Sequence, residues 1–317
     1  MIDQSAATPV FILGMTRRSG TNFLWRLLDL HPHIVTIPEL AEDFSLQNIQ
    51  LLSQYVDRTC QNWDPAWGYR GQLQEPFMQS LGQCILNFIL RQHDAPIETS
   101  RQKPLLKTPS VQNIERFFDF FPQAYLLITV RDGRDVVESC MRSFNFPFEE
   151  SVRAWNQAAQ AILGFDRVQH EHSVRYRVVR YERILSDRDH QLTELLQFLK
   201  LDPLLYDFDK ARQLPAYGSS ALRGEEEAVH WRPVNIPVNH QFTGQWESWN
   251  LYRKQRFNWI AGQSMSDLGY QPNRPESMTW GWALLNRCID QYYEIISKVQ
   301  HLKRRVTSRF KRIFGKK

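Results

Sequence analysis

Long hydrophobic runs are missing from this 317-residue sequence. Nowhere do apolar residues approach the roughly eighteen in a row that a membrane-spanning helix requires. Cysteine is scarce, and the four present, Cys60, Cys84, Cys140 and Cys288, lie far apart with no CxxC pair. That excludes a zinc ribbon or a disulfide framework and fits a reducing compartment. Met1 to Thr8 lacks the basic-then-apolar layout of a signal peptide, so a cytoplasmic chain is expected. Acidic residues are absent from one stretch: Lys298 to Lys317 holds nine Lys or Arg and no Asp or Glu. The net charge of +5 therefore belongs to the tail, and residues 1–297 carry about −4. Without a basic face on the body, nucleic acid is not an expected partner. No cluster of metal-ligand residues stands out, and no metal is expected.

What is present is a chain 42% hydrophobic and 13% aromatic, enough for one large core. Pro9–Leu13 is a short apolar run that reads as a buried strand. Phe23, Leu24, Leu27 and Leu28 then recur at helical spacing, and Pro32 marks the stop. The alternation returns with strands predicted at Pro104–Leu106, Tyr125–Val130 and Tyr176–Val179. Helices follow through Ile114, Phe117, Phe118 and Phe121, through Val136, Val137 and Cys140, and through Leu192, Leu195, Leu196 and Leu199. Strands alternating with helices imply an α/β fold, a parallel sheet flanked by helices. Residues 41–100 and about 210–245 are less regular and read as acceptor-side and lid insertions.

Between the first strand and first helix, residues 14–21 read Gly-Met-Thr-Arg-Arg-Ser-Gly-Thr. Backbone N–H groups of such a loop, with a helix N-terminus behind them, can wrap an anion. Gly20 allows close approach, Ser19 and Thr21 offer hydroxyls, and Arg17 and Arg18 bring charge suited to bidentate contacts. The Lys that a Walker A loop requires after its second glycine is absent. A second candidate anion site follows Tyr125–Val130. Arg131 ends that strand and Ser139 lies in the next helix, where both can close on one phosphate. Two strand ends of one parallel sheet open on the same edge, where α/β proteins bind nucleotides.

The segments Phe11 to Gly14, Arg18-Ser19-Gly20-Thr21 and Leu28-Asp29-Leu30-His31-Pro32 resemble the 5'-phosphosulfate loop of sulfotransferases that use 3'-phosphoadenosine-5'-phosphosulfate (PAPS). The likeness is greatest to the tyrosylprotein and bacterial branch. Arg17 stands where that branch has Pro, and Asn22 where it has a second Thr. Arg131-Asp132-Gly133-Arg134 with Ser139 resembles the family's 3'-phosphate site, and Tyr181-Glu182 its nucleotide-abutting Tyr-Glu. Phe242 to Trp246 is similar to the family's Gly-Arg-Trp segment, with Gln245 in place of Arg; Arg232 or Arg253 is a candidate substitute.

The resemblance covers about residues 9–270. It implies a P-loop NTPase-like sulfotransferase fold, PAPS as sulfuryl donor, and an acceptor hydroxyl as the other substrate. Glu39 falls on the position of the family's catalytic Glu, with Glu42 and Asp43 as rivals, and His31 and His33 nearby. Lys107, in Lys107-Thr108-Pro109, resembles the family's Lys-x-Pro and is expected at the leaving group, with Arg18 on the sulfuryl oxygens. The domain is expected over 1–272 and a helical basic extension over 273–317. In that extension Ile295, Val299, Leu302, Val306, Phe310 and Ile313 form one apolar face among Lys and Arg. That pattern suits an amphipathic helix on an anionic membrane surface. A P-loop kinase and a non-catalytic nucleotide-binding scaffold are the rival functions.

Overall fold

The computed structural model describes residues 8–37, 42–43, 46–67, 73–93, 101–169, 172–215, 243–271 and 280–296. Five strands make one sheet: β1 (Val10–Gly14), β2 (Ile34–Thr36), β3 (Lys103–Thr108), β4 (Tyr125–Val130) and β5 (Tyr176–Arg180). Their order is β2-β3-β1-β4-β5 and every pairing is parallel. The central strands β1 and β4 are buried at every position, which is why they read as continuous apolar runs. Register aligns Leu13 with Thr108 and Gly14 with Thr129, so the segments after β1, β3 and β4 emerge at one edge.

Side chains alternate across the sheet and feed two cores. Phe11 and Leu13 join one cluster with Phe117, Trp155 and Phe257. Val10 and Ile12 join the other with Phe23, Leu24, Leu127 and Leu196. The first face is covered by α4 (Phe117–Phe120), α5 (Gly133–Phe144), α6 (Phe148–Val168) and α10 (Leu251–Asp267). The second carries α1 (Thr21–Leu28), α7 (Tyr181–Ser186), α8 (Arg188–Phe198) and α9 (Phe208–Gln213). The architecture expected from the alternating pattern, a parallel sheet flanked by helices, is the one observed.

Residues 41–100 depart from their reading as irregular, since they hold α2 (Ile49–Gln61) and α3 (Gln74–Leu90). Their periodicity was blurred from both sides. The buried stripe of α2 includes Ser53 and Cys60, while Leu51 and Tyr55 face solvent, as Phe88 does on α3. Of the second segment read as irregular, 208–213 are helical and 216–242 lie outside the described residues.

Residues 280–296 are helical and include Trp280 and Trp282. This helix is tied to the body by a buried ionic cluster around Arg256, which has no exposed surface. Arg256 donates to Glu149 of α6 at 3.0 Å, to Asn286 at 2.9 Å and to Asp290 at 2.6 Å. Asp290 also accepts from Arg153 at 2.6 Å and from the Trp259 indole at 2.7 Å. Trp280, Leu284, Tyr292 and Ile295 are exposed. The expected amphipathic tail beyond residue 296 lies outside the described residues, and among those described no helix is long and apolar enough to cross a membrane.

Candidate active site

The loop after β1 folds tightly because its own hydroxyls satisfy it. Ser19 is fully buried; its hydroxyl donates to the Thr16 carbonyl at 2.8 Å and meets the Thr129 hydroxyl at 3.1 Å. Ser19 thus braces the loop against β4. Arg18 takes a left-handed backbone (φ 70), as does Gly20 (φ 95), which directly precedes α1. A side chain at Gly20 would enter the ring of Tyr181, so the position needs glycine for both conformation and space. No side chain caps α1, which leaves its N-terminal turn facing the loop. Thr21 is buried at the start of that helix.

The structure brings the two predicted anion segments together. The Arg18 guanidinium donates through Nε to the Ser139 hydroxyl of α5 at 2.8 Å. Arg131 donates through Nη1 to the Arg18 carbonyl at 2.9 Å and lies over the Tyr181 ring, 4.7 Å from its centroid. The Arg131 carbonyl in turn accepts from the Trp155 indole at 3.2 Å. Burial, reinforced by the like charge of Arg131, pulls the Arg18 guanidinium below its ordinary pKa. Two crowded guanidinium groups are a setting that an anion relieves. Arg17 lies beside them, and both Arg17 and Arg18 sit 6.0 Å from the ring centre of Phe144.

The rest of the Arg-Asp-Gly-Arg turn holds this arrangement in place. Asp132 caps α5, accepting from the Arg134 N–H at 2.9 Å, and pairs with the Arg134 guanidinium, which stacks on Trp246 at 3.9 Å. Asp135 accepts from the backbone N–H groups of Gly244 and Gln245 at 3.1 and 3.0 Å, fastening the segment at 243–249 to α5. Burial pushes the Asp135 carboxyl up to about 6. Glu182 accepts from the Asp132 N–H at 2.8 Å and from the Tyr270 hydroxyl at 3.0 Å. Its carboxylate therefore links loops, while Tyr181 beside it supplies the ring under Arg131. Arg253 lies over Phe148, 5.7 Å from the ring centre; Arg232 falls outside the described residues.

At the end of β3, Lys107 points into a polar knot. Its ammonium donates to the Asn22 side-chain carbonyl and to Glu42 at 2.9 Å, with 8% and 11% of the Lys107 and Glu42 side chains exposed. The Asp43 N–H donates to the Lys107 carbonyl at 3.1 Å, and the Thr108 hydroxyl to the Asp43 carboxylate at 3.0 Å. Residues 42 and 43 are thus clamped to the same strand end. Burial pushes the Glu42 carboxyl above its ordinary pKa, with Lys107 opposing. Glu39 lies outside the described residues.

His31 is excluded as a base by its bonds. Its Nδ1 accepts from the His33 N–H at 3.1 Å, so Nε2 carries the proton toward the Asp202 carbonyl at 3.1 Å. Sequence reasoning missed the braces: Thr129, Trp155 and Phe144 carry no motif, because a hydroxyl or ring that supports a loop from another element leaves no local spacing to read.

The arrangement has known relatives. The chain matches the sulfotransferase family over residues 9–204. A protein-tyrosine sulfotransferase of Drosophila melanogaster is 23% identical over 262 residues, covering 75% of this chain and 47% of the relative. The chain thus spans about half the length of that protein. The sulfotransferase domain of the olefin synthase from Synechococcus PCC 7002 shares the fold, with a TM-score of 0.50 at 20% identity. That match covers 85% of this chain and 97% of the domain. With the family match running from β1 through both anion segments and on past β5, the chain belongs to the sulfotransferase family.

Proposed function

We propose that the protein transfers a sulfuryl group from PAPS to an acceptor hydroxyl by in-line displacement. The observation that carries this reading is the direct contact between its two basic segments, Arg18 to Ser139 and Arg131 to the Arg18 carbonyl. A nucleoside charged at both its 5' and 3' ends suits two such segments on one sheet edge. When bound, PAPS supplies the sulfuryl group and an adenosine bisphosphate leaving group. Arg17, Arg18 and the backbone of Ser19 to Asn22 hold the 5' end, while Arg131 and Ser139 hold the 3'-phosphate. The Lys107 ammonium neutralises charge as it builds on the leaving oxygen, a stabilisation worth about 3–4 kcal/mol where comparable donors have been removed.

A carboxylate takes the proton that the acceptor hydroxyl gives up. Glu39, at the position the family resemblance indicates, is our first choice. Glu42 is the second, favoured by its contact with Lys107 and by burial that raises its pKa. Calorimetric titration with adenosine 3',5'-bisphosphate and with Mg·ATP, wild type beside Arg131→Ala, tests the donor class. Tight bisphosphate binding lost in the variant supports it, and a preference for Mg·ATP overturns it in favour of a kinase. Transfer from labelled PAPS by Glu39→Gln and Glu42→Gln separates the two bases.

We also propose that the basic stretch at 298–317 meets an anionic membrane surface. The exposed Trp280, Leu284, Tyr292 and Ile295 precede it in the chain and offer an apolar face to the same surface. Deleting 298–317 should abolish cosedimentation with phosphatidylserine vesicles; unchanged sedimentation overturns the idea.

A further inference from the structure

A cavity of about 880 Å³ opens beside the candidate active site, within the roughly 300–1,000 Å³ of small-molecule pockets. One wall is Thr16 and Arg17, immediately before Arg18. A second is the segment from Pro109 to Asn113, which follows Lys107 on β3. The third is formed by α5 and α6. Cys140, next to Ser139, lies on its inner side. Two of the lining segments run on in the chain to Arg18 and Lys107, although neither of those residues lines the cavity itself.

The lining has an uneven chemistry. Met15, Val111, Val136, Cys140 and Ala158 give it an apolar floor. Around the floor stand three amides, Gln47, Gln112 and Gln157, and two carboxylates, Glu115 and Glu150. All five are exposed, and among the described residues their side-chain ends make no hydrogen bond with another side chain. Asn113 fixes one rim, donating to the Leu46 and Gln47 carbonyls at 3.0 and 3.1 Å. Among the described residues Arg17 is the one cation in the lining, and Phe146 the one aromatic ring.

From this lining we infer that the acceptor is an uncharged, polyhydroxylated molecule, a saccharide. The inference rests on the sulfuryl-transfer reading and narrows its acceptor. Amides both donate and accept, and carboxylates accept from paired hydroxyls, so this rim matches vicinal diols. The C–H faces of sugar rings suit the apolar floor. An acidic peptide or an anionic headgroup would meet Glu115 and Glu150, a like-charge contact that selects against it. A planar phenol would find a single ring to stack on.

The test uses the full chain, labelled PAPS and three acceptor classes: neutral disaccharides, a tyrosine peptide flanked by Asp and Glu, and 4-nitrophenol. Titration with adenosine 3',5'-bisphosphate reads the donor site separately. We expect bisphosphate binding, and label on a disaccharide with kcat/KM at least tenfold above that for the peptide or the phenol. Ala154→Trp, filling the cavity from an exposed position on α6, should raise the disaccharide KM tenfold or more and change bisphosphate affinity less than twofold. Gln157→Ala should raise that KM without the added bulk. Label on the peptide or phenol alone, or on no acceptor while bisphosphate binds, overturns the inference and leaves sulfuryl transfer standing. A disaccharide KM unchanged in both variants overturns the cavity assignment. Failure to bind bisphosphate overturns the donor reading and this inference with it.

Discussion

Replacing Lys107 by methionine keeps the apolar stem and removes the charge, leaving the Glu42 carboxyl, 11% exposed, without its cation. Breaking a buried pair from one side costs about 3–5 kcal/mol if the remaining group stays ionised. The carboxyl can instead take a proton. At pH 7 that costs ~1.36 kcal/mol for each unit above an ordinary Glu pKa near 4.3, or about 3.7 kcal/mol. Protonation therefore caps the penalty, and the cap falls with pH. In the variant, Glu42 has a folded pKa raised above its unfolded value. The stability it retains is present at low pH and is lost as pH rises through that raised value. Lys107→Met should be about 3–4 kcal/mol less stable than wild type at pH 7, and only about 1.5–2 kcal/mol less at pH 5.5. Urea unfolding followed by tryptophan fluorescence measures both. Adding Glu42→Gln should recover most of the loss at pH 7. A loss equal at both pH values, or no recovery in the double variant, refutes the coupling of these two charges.

Three further outcomes follow from the packing. Gly20→Ala should lose about 1–2 kcal/mol from the left-handed backbone alone, and more because the new methyl displaces the Tyr181 ring; an unchanged thermal midpoint would count against this. Arg256→Met leaves Glu149 buried beside Asp290 without its main cation, and should cost about 3–5 kcal/mol in chemical unfolding. Asp135 has a folded pKa near 6, above its unfolded value of 3.8, so its contribution is fully present below about pH 4 and lost as pH rises through 6. The stability of Asp135→Asn relative to wild type should therefore climb by roughly 2.5 kcal/mol between pH 4 and pH 7, and a flat difference would refute the buried carboxyl.

The sheet was legible because β1 and β4 are apolar on both faces, which only a central parallel strand requires. The anion segments were legible because their charged residues are adjacent in sequence. What escaped was set by distant partners. The inner face of α10 carries Arg256 and Ser264, polar residues that no apolar period marks, because they are satisfied by Glu149, Asn286 and Asn156 across the helix layer rather than by burying carbon. The inner face of α6 includes Glu149, paired across to Arg256, and Ser151, whose hydroxyl donates to the Pro147 carbonyl at the start of its own helix. Ser19 was read as a donor for an anion, yet its hydroxyl is committed to Thr16 and Thr129, contacts that only the folded loop reveals. Glu42 entered the sequence reading as a rival to Glu39. Its place against Lys107 comes from the clamp of residues 42 and 43 onto β3, a contact across more than sixty residues of chain.

The ionic cluster around Arg256 also constrains descent. Glu149, Arg256 and Asp290 come from three helices; the buried Glu149–Arg256 pair is costly to break from either side, while Asp290, 38% exposed, is held by both Arg256 and Arg153. Change at any one position should therefore be followed, along a lineage, by change at its partners. Relatives that lost the helix at 280–296 should have exchanged Arg256 for an apolar residue and Glu149 for a neutral one. The sites would then vary together rather than one at a time.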